Sequence, residues 1–272
     1  MLSINNASLN VSILDPIADR ERFGTRYCTG GFIFQVADHR AGDLLTGPTY
    51  PHSYNTFDGQ GIPDAFFTHL GNPADANDPR WLGIGIGMYD KPKNQVLEFC
   101  AWTVAEQPGR MRFETRQSHL GYALELTREL TLTHRTLKSE TVLKNAGEWD
   151  IPVRWYPHPF YPHYETGECS KFDVGITVPE NDGYELLPNG FIRQKNLPWD
   201  QRGHFQPLEV ENTGKLTVLQ KHPKLGLVAA TFSYGPAFLP IWGNKYTFSF
   251  EPYFEQRVAP GGEARWWIEY DF

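Results

Sequence analysis

Cysteine is scarce in this chain: Cys28, Cys100 and Cys169 are the only three among 272 residues. An odd, widely spaced set supplies neither a disulfide framework nor a zinc cluster, so a reducing compartment is expected. Long apolar runs are missing too, and nothing approaches the roughly 20 residues of a membrane-spanning helix. The opening segment MLSINNASLNVSILDP lacks the basic start and unbroken apolar stretch of a signal peptide. There is no run of one charge sign, and the formal net charge is −7. That excludes the basic surface with which proteins neutralise nucleic-acid phosphates. Few windows of ten residues are free of both Gly and Pro, which argues against long helices. The expectation is a soluble, cytoplasmic protein without nucleic-acid or membrane partners.

What the chain does have is aromatic side chains and turn formers: 18 Phe, 13 Tyr and 8 Trp beside 25 Gly and 21 Pro. This mixture suits short strands joined by turns. It also suits a pocket that offers a flat apolar face next to polar groups, as a sugar ring requires. Hydrophobic periodicity is mostly two. Leu9, Val11 and Ile13 alternate with polar residues, as do Phe32, Phe34 and Val36. In Tyr122–His134 the same face carries Tyr122, Leu124 and Leu126, and further along Leu130 and Leu132. Such alternation predicts half-buried strands. The stretch from Leu137 to Lys144 reads as a return arm ending at the turn Asn145-Ala-Gly147. Further strands are predicted over 151–157, 215–220, 225–233, 245–251 and 264–271. Two segments, 37–81 and 177–212, show little alternation and are expected to be long loops covering a site. With no repeat and no linker, residues 1–272 are read as a single all-β domain.

Two segments carry candidate chemistry. In Arg154-Trp-Tyr-Pro-His-Pro-Phe-Tyr-Pro-His163 the prolines exclude a helix and hold His158 on a stiff, extended backbone among aromatic rings. Histidine exchanges protons near neutrality, yet a packed structural histidine fits equally. Zinc binding by His158 with His163 is disfavoured, because a spacing of five on a strand sends the two side chains to opposite faces. In Tyr246-Thr-Phe-Ser-Phe-Glu-Pro-Tyr-Phe254, Tyr246, Phe248 and Phe250 share one face while Thr247, Ser249 and Glu251 share the other. A carboxylate ending such a strand is expected to be desolvated, with its pKa raised toward that of a useful base. The plainer alternative is an edge carboxylate paired with Arg or Lys. Trp242 is a candidate for stacking on a sugar face, with core packing as the alternative. Gly83-Ile-Gly-Ile-Gly87 lacks the third glycine of a dinucleotide loop and its strand–helix setting, so it reads as a closely packed strand. Cys169 and Ser170 have no nucleophile-elbow motif around them.

The order of several blocks resembles the aldose 1-epimerase, or galactose mutarotase-like, superfamily, and in particular its divergent bacterial members. Gly24-Thr-Arg26 with Gly30-Gly-Phe-Ile-Phe-Gln-Val36 resembles the early block. Thr141-Val-Leu-Lys-Asn-Ala-Gly147, Ile151-Pro152 and His158-Pro-Phe-Tyr161 resemble the central one. Phe250-Glu251-Pro252, Ala259-Pro-Gly-Gly-Glu263 and Trp266-Trp-Ile-Glu-Tyr270 resemble the last. Leu82-Gly-Ile-Gly-Ile-Gly87 with Lys91-Pro92 is also similar to a segment of the bacterial relatives. The resemblance implies a large antiparallel β-sandwich, a carbohydrate as small-molecule partner, and no cofactor. It implies His158 as general acid and Glu251 as general base, facing one pocket across room for a pyranose ring, with Arg26 binding substrate. Pro157 stands where the family usually has Asn. The family's His-Gly-Gly segment, with its second active-site histidine, has no counterpart; His69 and His52 lie in that stretch, and His69 is taken as a substrate-binding candidate.

The implied activity is anomer interconversion of an aldose or sugar derivative. A non-catalytic carbohydrate-binding protein of the same fold stays open, as does a hexose-6-phosphate epimerase using Arg80, Arg110, Arg112 and Lys91. A lyase or hydrolase would need a second carboxylate such as Glu255 near Glu251.

Overall fold

The computed structural model describes residues 1–72, 74–211 and 214–272. Pro73, in the predicted loop 37–81, and Asn212, at the end of 177–212, lie outside the described residues. The architecture is all-β, with only a 3-10 turn at Arg20–Arg22 as helix among the described residues. One layer is an eight-stranded antiparallel sheet. Its order is Thr103–Gln107, Arg110–His119, Tyr122–Thr133, Thr136–Asn145, Glu263–Asp271, Gly226–Phe232, Leu216–His222 and Ser170–Phe172. The other side is built from smaller sheets. A three-stranded one runs Phe254–Val258, Ile151–Pro157, Asp64–Phe66, and a five-stranded one runs Tyr161–Pro162, Thr247–Phe250, Leu239–Gly243, His204–Val210, Ile176–Thr177.

The alternation read from the sequence fixes which face goes inward. Along Tyr122–Thr133 the residues Leu124, Leu126, Leu130 and Leu132 are buried. Slipping the register by one residue would turn this whole set to water. Aromatic rings from the smaller sheets meet this face. Trp155 lies 5.4 Å and Phe254 4.5 Å from Trp266, and Phe250 lies 6.2 Å from Phe232, centroid to centroid. Burying such rings removes roughly 150–250 Å² of surface each, which makes them the main contributors to cohesion of the two layers.

One strand departs from the predicted half-exposed pattern. Thr247–Phe250 is buried throughout, because its Phe face packs on the core while Ser249 and Glu251 point to the opposite side. The chain crosses between the three- and five-stranded sheets twice in the same region. Ile151–Pro157 ends in the first sheet and Tyr161–Pro162 begins in the second, with His158 between. Thr247–Phe250 ends in the second and Phe254–Val258 begins in the first, with Glu251 between. Strand ends leave backbone groups in need of partners, and both crossings find them. His158 N–H donates to the Pro63 carbonyl at 2.7 Å, and Glu251 N–H donates to the Pro240 carbonyl at 2.9 Å.

The predicted loop 37–81 contains short strands, yet its stretch from Leu44 to Pro63 is irregular and wraps the same end of the molecule. Gly61 makes this approach possible. Its φ of +78° is unfavourable for other residues, and a Cβ there would lie 2.3 Å from the Ile33 carbonyl oxygen. The Gly61 carbonyl in turn accepts the Phe160 N–H at 2.8 Å. Gly83 to Gly87 is the tight end of a hairpin between Arg80–Gly83 and Gly87–Asp90. At Gly87 a Cβ would meet the Glu98 carbonyl oxygen at 2.0 Å, which accounts for glycine there without any nucleotide.

Arg128 occupies a core-facing position among those leucines and is 1% exposed. Its guanidinium donates two hydrogen bonds to the Asp64 carboxylate, at 2.6 and 2.5 Å, and Trp155 Nε1–H donates a third at 2.9 Å. This pair ties the large sheet to the strand that flanks Ile151–Pro157. Removing one partner of such a buried pair costs about 3–5 kcal/mol, because the other charge is left without compensation. Urea unfolding is therefore expected to show Asp64→Leu and Arg128→Met each destabilised by that order, with the double variant less affected than their sum. Strict additivity would contradict the coupling.

Candidate active site

Between the two crossings lies a cavity of about 570 Å³. Its floor is His158 and Glu251, 3% and 4% exposed, with His158 Nε2 at 3.3 Å from Glu251 Oε1. Arg26 and Trp242 stand on its wall. Four of the five residues singled out from the sequence are thus brought together. His158 and Glu251 share one cavity as expected, but not several ångströms apart across room for a pyranose ring: their side chains touch. Both are held from behind by backbone bonds at the same seam, which brings them this close.

His69 is not part of this cavity. It lines a neighbouring one of about 380 Å³, with its ring 5.0 Å from that of Tyr89. The cationic residues proposed for a phosphate are also elsewhere. Arg80 pairs with Asp78, Arg110 and Arg112 pair with Glu129 and Glu114 on the outer face of the large sheet, and Lys91 sits over Trp81. Glu255 does not join Glu251, because its carboxylate lies 2.9 Å from Arg154 across the strand pair.

Several wall residues were not found from the sequence. Tyr156 sits two residues before His158 and so shares its face; that period of two was the available signal. Ser249, already read as sharing the face of Glu251, is fully buried and touches His158 without lining the cavity. Arg154, four residues before His158, and Tyr253, two after Glu251, fall in the same two segments, whereas Arg202, Phe57, Phe67, Phe205 and Phe238 come from separate ones, and no local period marks them. Trp242 meets His158 edge-on at 5.9 Å, and Tyr156 stacks on Tyr253 at 4.5 Å.

Burial decides the charges. It pushes the Glu251 carboxyl up to about 8, with the Arg26 cation only partly opposing, and it holds His158 well below the usual histidine value, a shift that Arg26 reinforces. Arg26 itself stays charged. Burial works against its cation, and Tyr27, Tyr156 and Glu251 more than offset that. Its guanidinium lies 4.9 and 5.0 Å from the Tyr27 and Phe57 ring centres and donates to the Phe57 carbonyl at 3.2 Å.

Near neutrality the floor is therefore a carboxylic acid beside a neutral imidazole, sharing one proton. Ser249 Oγ lies 2.9 Å from His158 Nδ1. When Nδ1–H donates to Ser249, Nε2 presents a lone pair to the Glu251 acid. When that proton passes from Glu251 to Nε2, Nδ1–H still donates to Ser249 and Nε2–H faces a carboxylate. The arrangement is a short relay able to give one proton and take another at adjacent points.

No family model and no curated protein matches the chain. Solved structures do match in shape. The fold is all-β, with His158 and Glu251 buried at a seam between sheets, and it is the galactose mutarotase-like fold. A galactose mutarotase related enzyme from Lactobacillus acidophilus is similar at a TM-score of 0.64 and 12% identity, over 99% of this chain and 96% of that one. A galactose mutarotase-like protein from Lactobacillus casei is similar at 0.59 and 13%, over 100% and 99%. An aldose epimerase homologue from C. elegans is similar at 0.52 and 13%, over 99% and 97%. No helix is long and apolar enough to cross a membrane among the described residues.

The raised Glu251 value has a stability consequence. An unfolded chain releases this proton near 4.5, the folded one near 8. Between those values folding must take a proton up, so the group costs nothing below pH 4.5 and increasingly more as pH rises to 8. Glu251→Gln removes this cost. The variant is expected to exceed wild type in stability at pH 8 by about 1 kcal/mol or more, and to lose that advantage by pH 4. Equal Tm values at pH 8 would contradict a buried acid.

Proposed function

We propose that the whole chain acts as one galactose mutarotase-like domain that interconverts the anomers of an aldose or sugar derivative in this cavity. The direct contact between His158 and Glu251 carries the reading. In a pyranose, the anomeric O1 and the ring O5 are bonded to the same carbon. An acid and a base 3.3 Å apart can meet both at once, without enclosing the ring.

Glu251, as carboxylate, takes the O1 proton while His158 Nε2–H protonates O5. The C1–O5 bond breaks, C1 becomes the aldehyde carbon, and rotation about C1–C2 presents its other face. Reclosure then returns the proton from Glu251 to O1 as the O5 hydroxyl gives its proton to His158. The neutral pair favoured by burial is the state that reclosure needs. Before ring opening one proton must pass from Glu251 to His158, along their direct contact. The Arg26 charge favours the resulting carboxylate, and its guanidinium offers donors to ring hydroxyls. Trp242 and Tyr253 present apolar edges to the sugar. The reaction is balanced and consumes no cofactor.

Arg154 and Arg202 on the cavity wall favour a second reading, in which the sugar carries an anionic group such as a 6-phosphate. NMR exchange across sugars and sugar phosphates separates the two by which class is turned over. Positioned acid and base groups contribute about 10²–10⁴-fold, so Glu251→Gln and His158→Ala are each expected to lower kcat/KM by at least 10²-fold. Wild-type binding by calorimetry with no exchange for any sugar would instead favour a carbohydrate-binding protein without turnover. Ser249→Ala is expected to keep substrate binding while shifting the pH profile of kcat, since it removes the partner that fixes the imidazole tautomer. An unchanged profile would deny Ser249 that role.

A further inference from the structure

We propose that the neighbouring cavity is a second sugar subsite, so that the site takes the reducing end of a disaccharide rather than a free monosaccharide. The inference rests on the reading of the first cavity as a sugar site. Three phenylalanines of the described chain are half exposed or more, Phe57 at 56%, Phe67 at 57% and Phe205 at 50%, and all three border the first cavity. Exposed apolar surface gathered in one place, with polar groups beside it, marks a binding surface. Rings left open to water at a rim cost free energy that a stacked sugar face would recover.

Two of these rings, Phe57 and Phe67, also line the second cavity, as do Arg26 and Tyr156. The two spaces therefore share one wall. The Arg26 guanidinium stands in that wall against Phe57, where its donors can serve hydroxyls on either side. The second cavity adds polar groups that the first does not use: Thr25, His69 and Asn94. Thr25 Oγ1 is hydrogen-bonded to Asn94 Oδ1. His69 Nδ1 is buried without a hydrogen-bond partner among the described residues. Burial, with Lys91 nearby, keeps that ring neutral near pH 7. A buried ring nitrogen left unpaired is costly, and the ring that carries it lines this cavity. Apolar rings flanking scattered hydrogen-bonding groups are what a pyranose presents a match for. A metal or a phosphate would call for convergent charges, and among the described residues Arg26 is the only charged one lining the cavity.

Calorimetry on the wild-type chain with maltose, lactose, glucose and galactose tests this directly. Maltose or lactose is expected to bind at least tenfold tighter than its own reducing monosaccharide unit, glucose. His69→Phe and Asn94→Gly, which keep the ring packing and the left-handed backbone of their positions, are expected to weaken disaccharide binding about fivefold each and leave monosaccharide binding unchanged. Disaccharides that bind no better than glucose, or variants that weaken both classes equally, overturn the second subsite. If monosaccharides are turned over while disaccharides gain nothing, the subsite fails and the mutarotase reading stands. If disaccharides bind selectively but no anomer exchange is accelerated, the subsite stands and the mutarotase reading fails.

Discussion

Arg128 places a permanent charge on the core-facing side of a twelve-residue strand, and the Asp64 carboxylate is what allows that strand to stay there. The pair is bidentate, a third hydrogen bond comes from Trp155, and both side chains are nearly free of water. A buried pair of this kind adds little net stability compared with well-packed apolar groups, but it tolerates no misplacement. It pins Asp64–Phe66 to the large sheet, and Asp64–Phe66 pairs with Ile151–Pro157 at Trp155, Tyr156 and Pro157. The next residue is His158. The position of His158 is thus set from beneath by an electrostatic contact that lies outside the cavity.

The seam between the three- and five-stranded sheets explains why the two functional candidates meet. Each lies where the chain leaves one sheet for the other, and each has its backbone N–H bonded to a neighbouring loop or strand. At that point the core is on one side and the cavity on the other. Burial there moves the two values in opposite directions, Glu251 up and His158 down, so the pair shares one proton over the range where such chemistry is useful. Stability is lost in keeping a carboxyl group at this seam, which is the usual relation between a strained site and the fold that holds it.

Likeness of shape over the whole chain at 10–15% identity says that the sandwich outlasts nearly all of its side chains. A core of this sort asks for apolar volume at alternating positions, and many sequences meet that demand. Activity is more demanding, and it must be argued from the cavity. Here the cavity places His158 and Glu251 side by side, with no second histidine among its described lining residues and an aromatic rim that continues into a neighbouring space.

Much of this was legible in the linear sequence. Alternation over Tyr122–His134 and 264–271 identified strands of the large sheet, because a period of two is a local property. The prolines around His158 and the aromatic strand before Glu251 marked both residues as unusual. The same alternation also held a sign that went unread: Arg128 falls on the face of Leu124, Leu126, Leu130 and Leu132, and a charge at such a position demands a buried partner. Which carboxylate answers it could not be read, since Asp64 is 64 residues away and lies in a segment whose sequence shows little alternation. For the same reason sequence suggested His69 and distant arginines for the pocket, while the structure brought Tyr156, Arg154 and three exposed phenylalanines to it. Patterning along the chain determined the sandwich and its inward faces, because those depend on neighbours two residues apart. The contact of His158 with Glu251, and the company they keep, was decided only when non-local strand ends were packed at one seam.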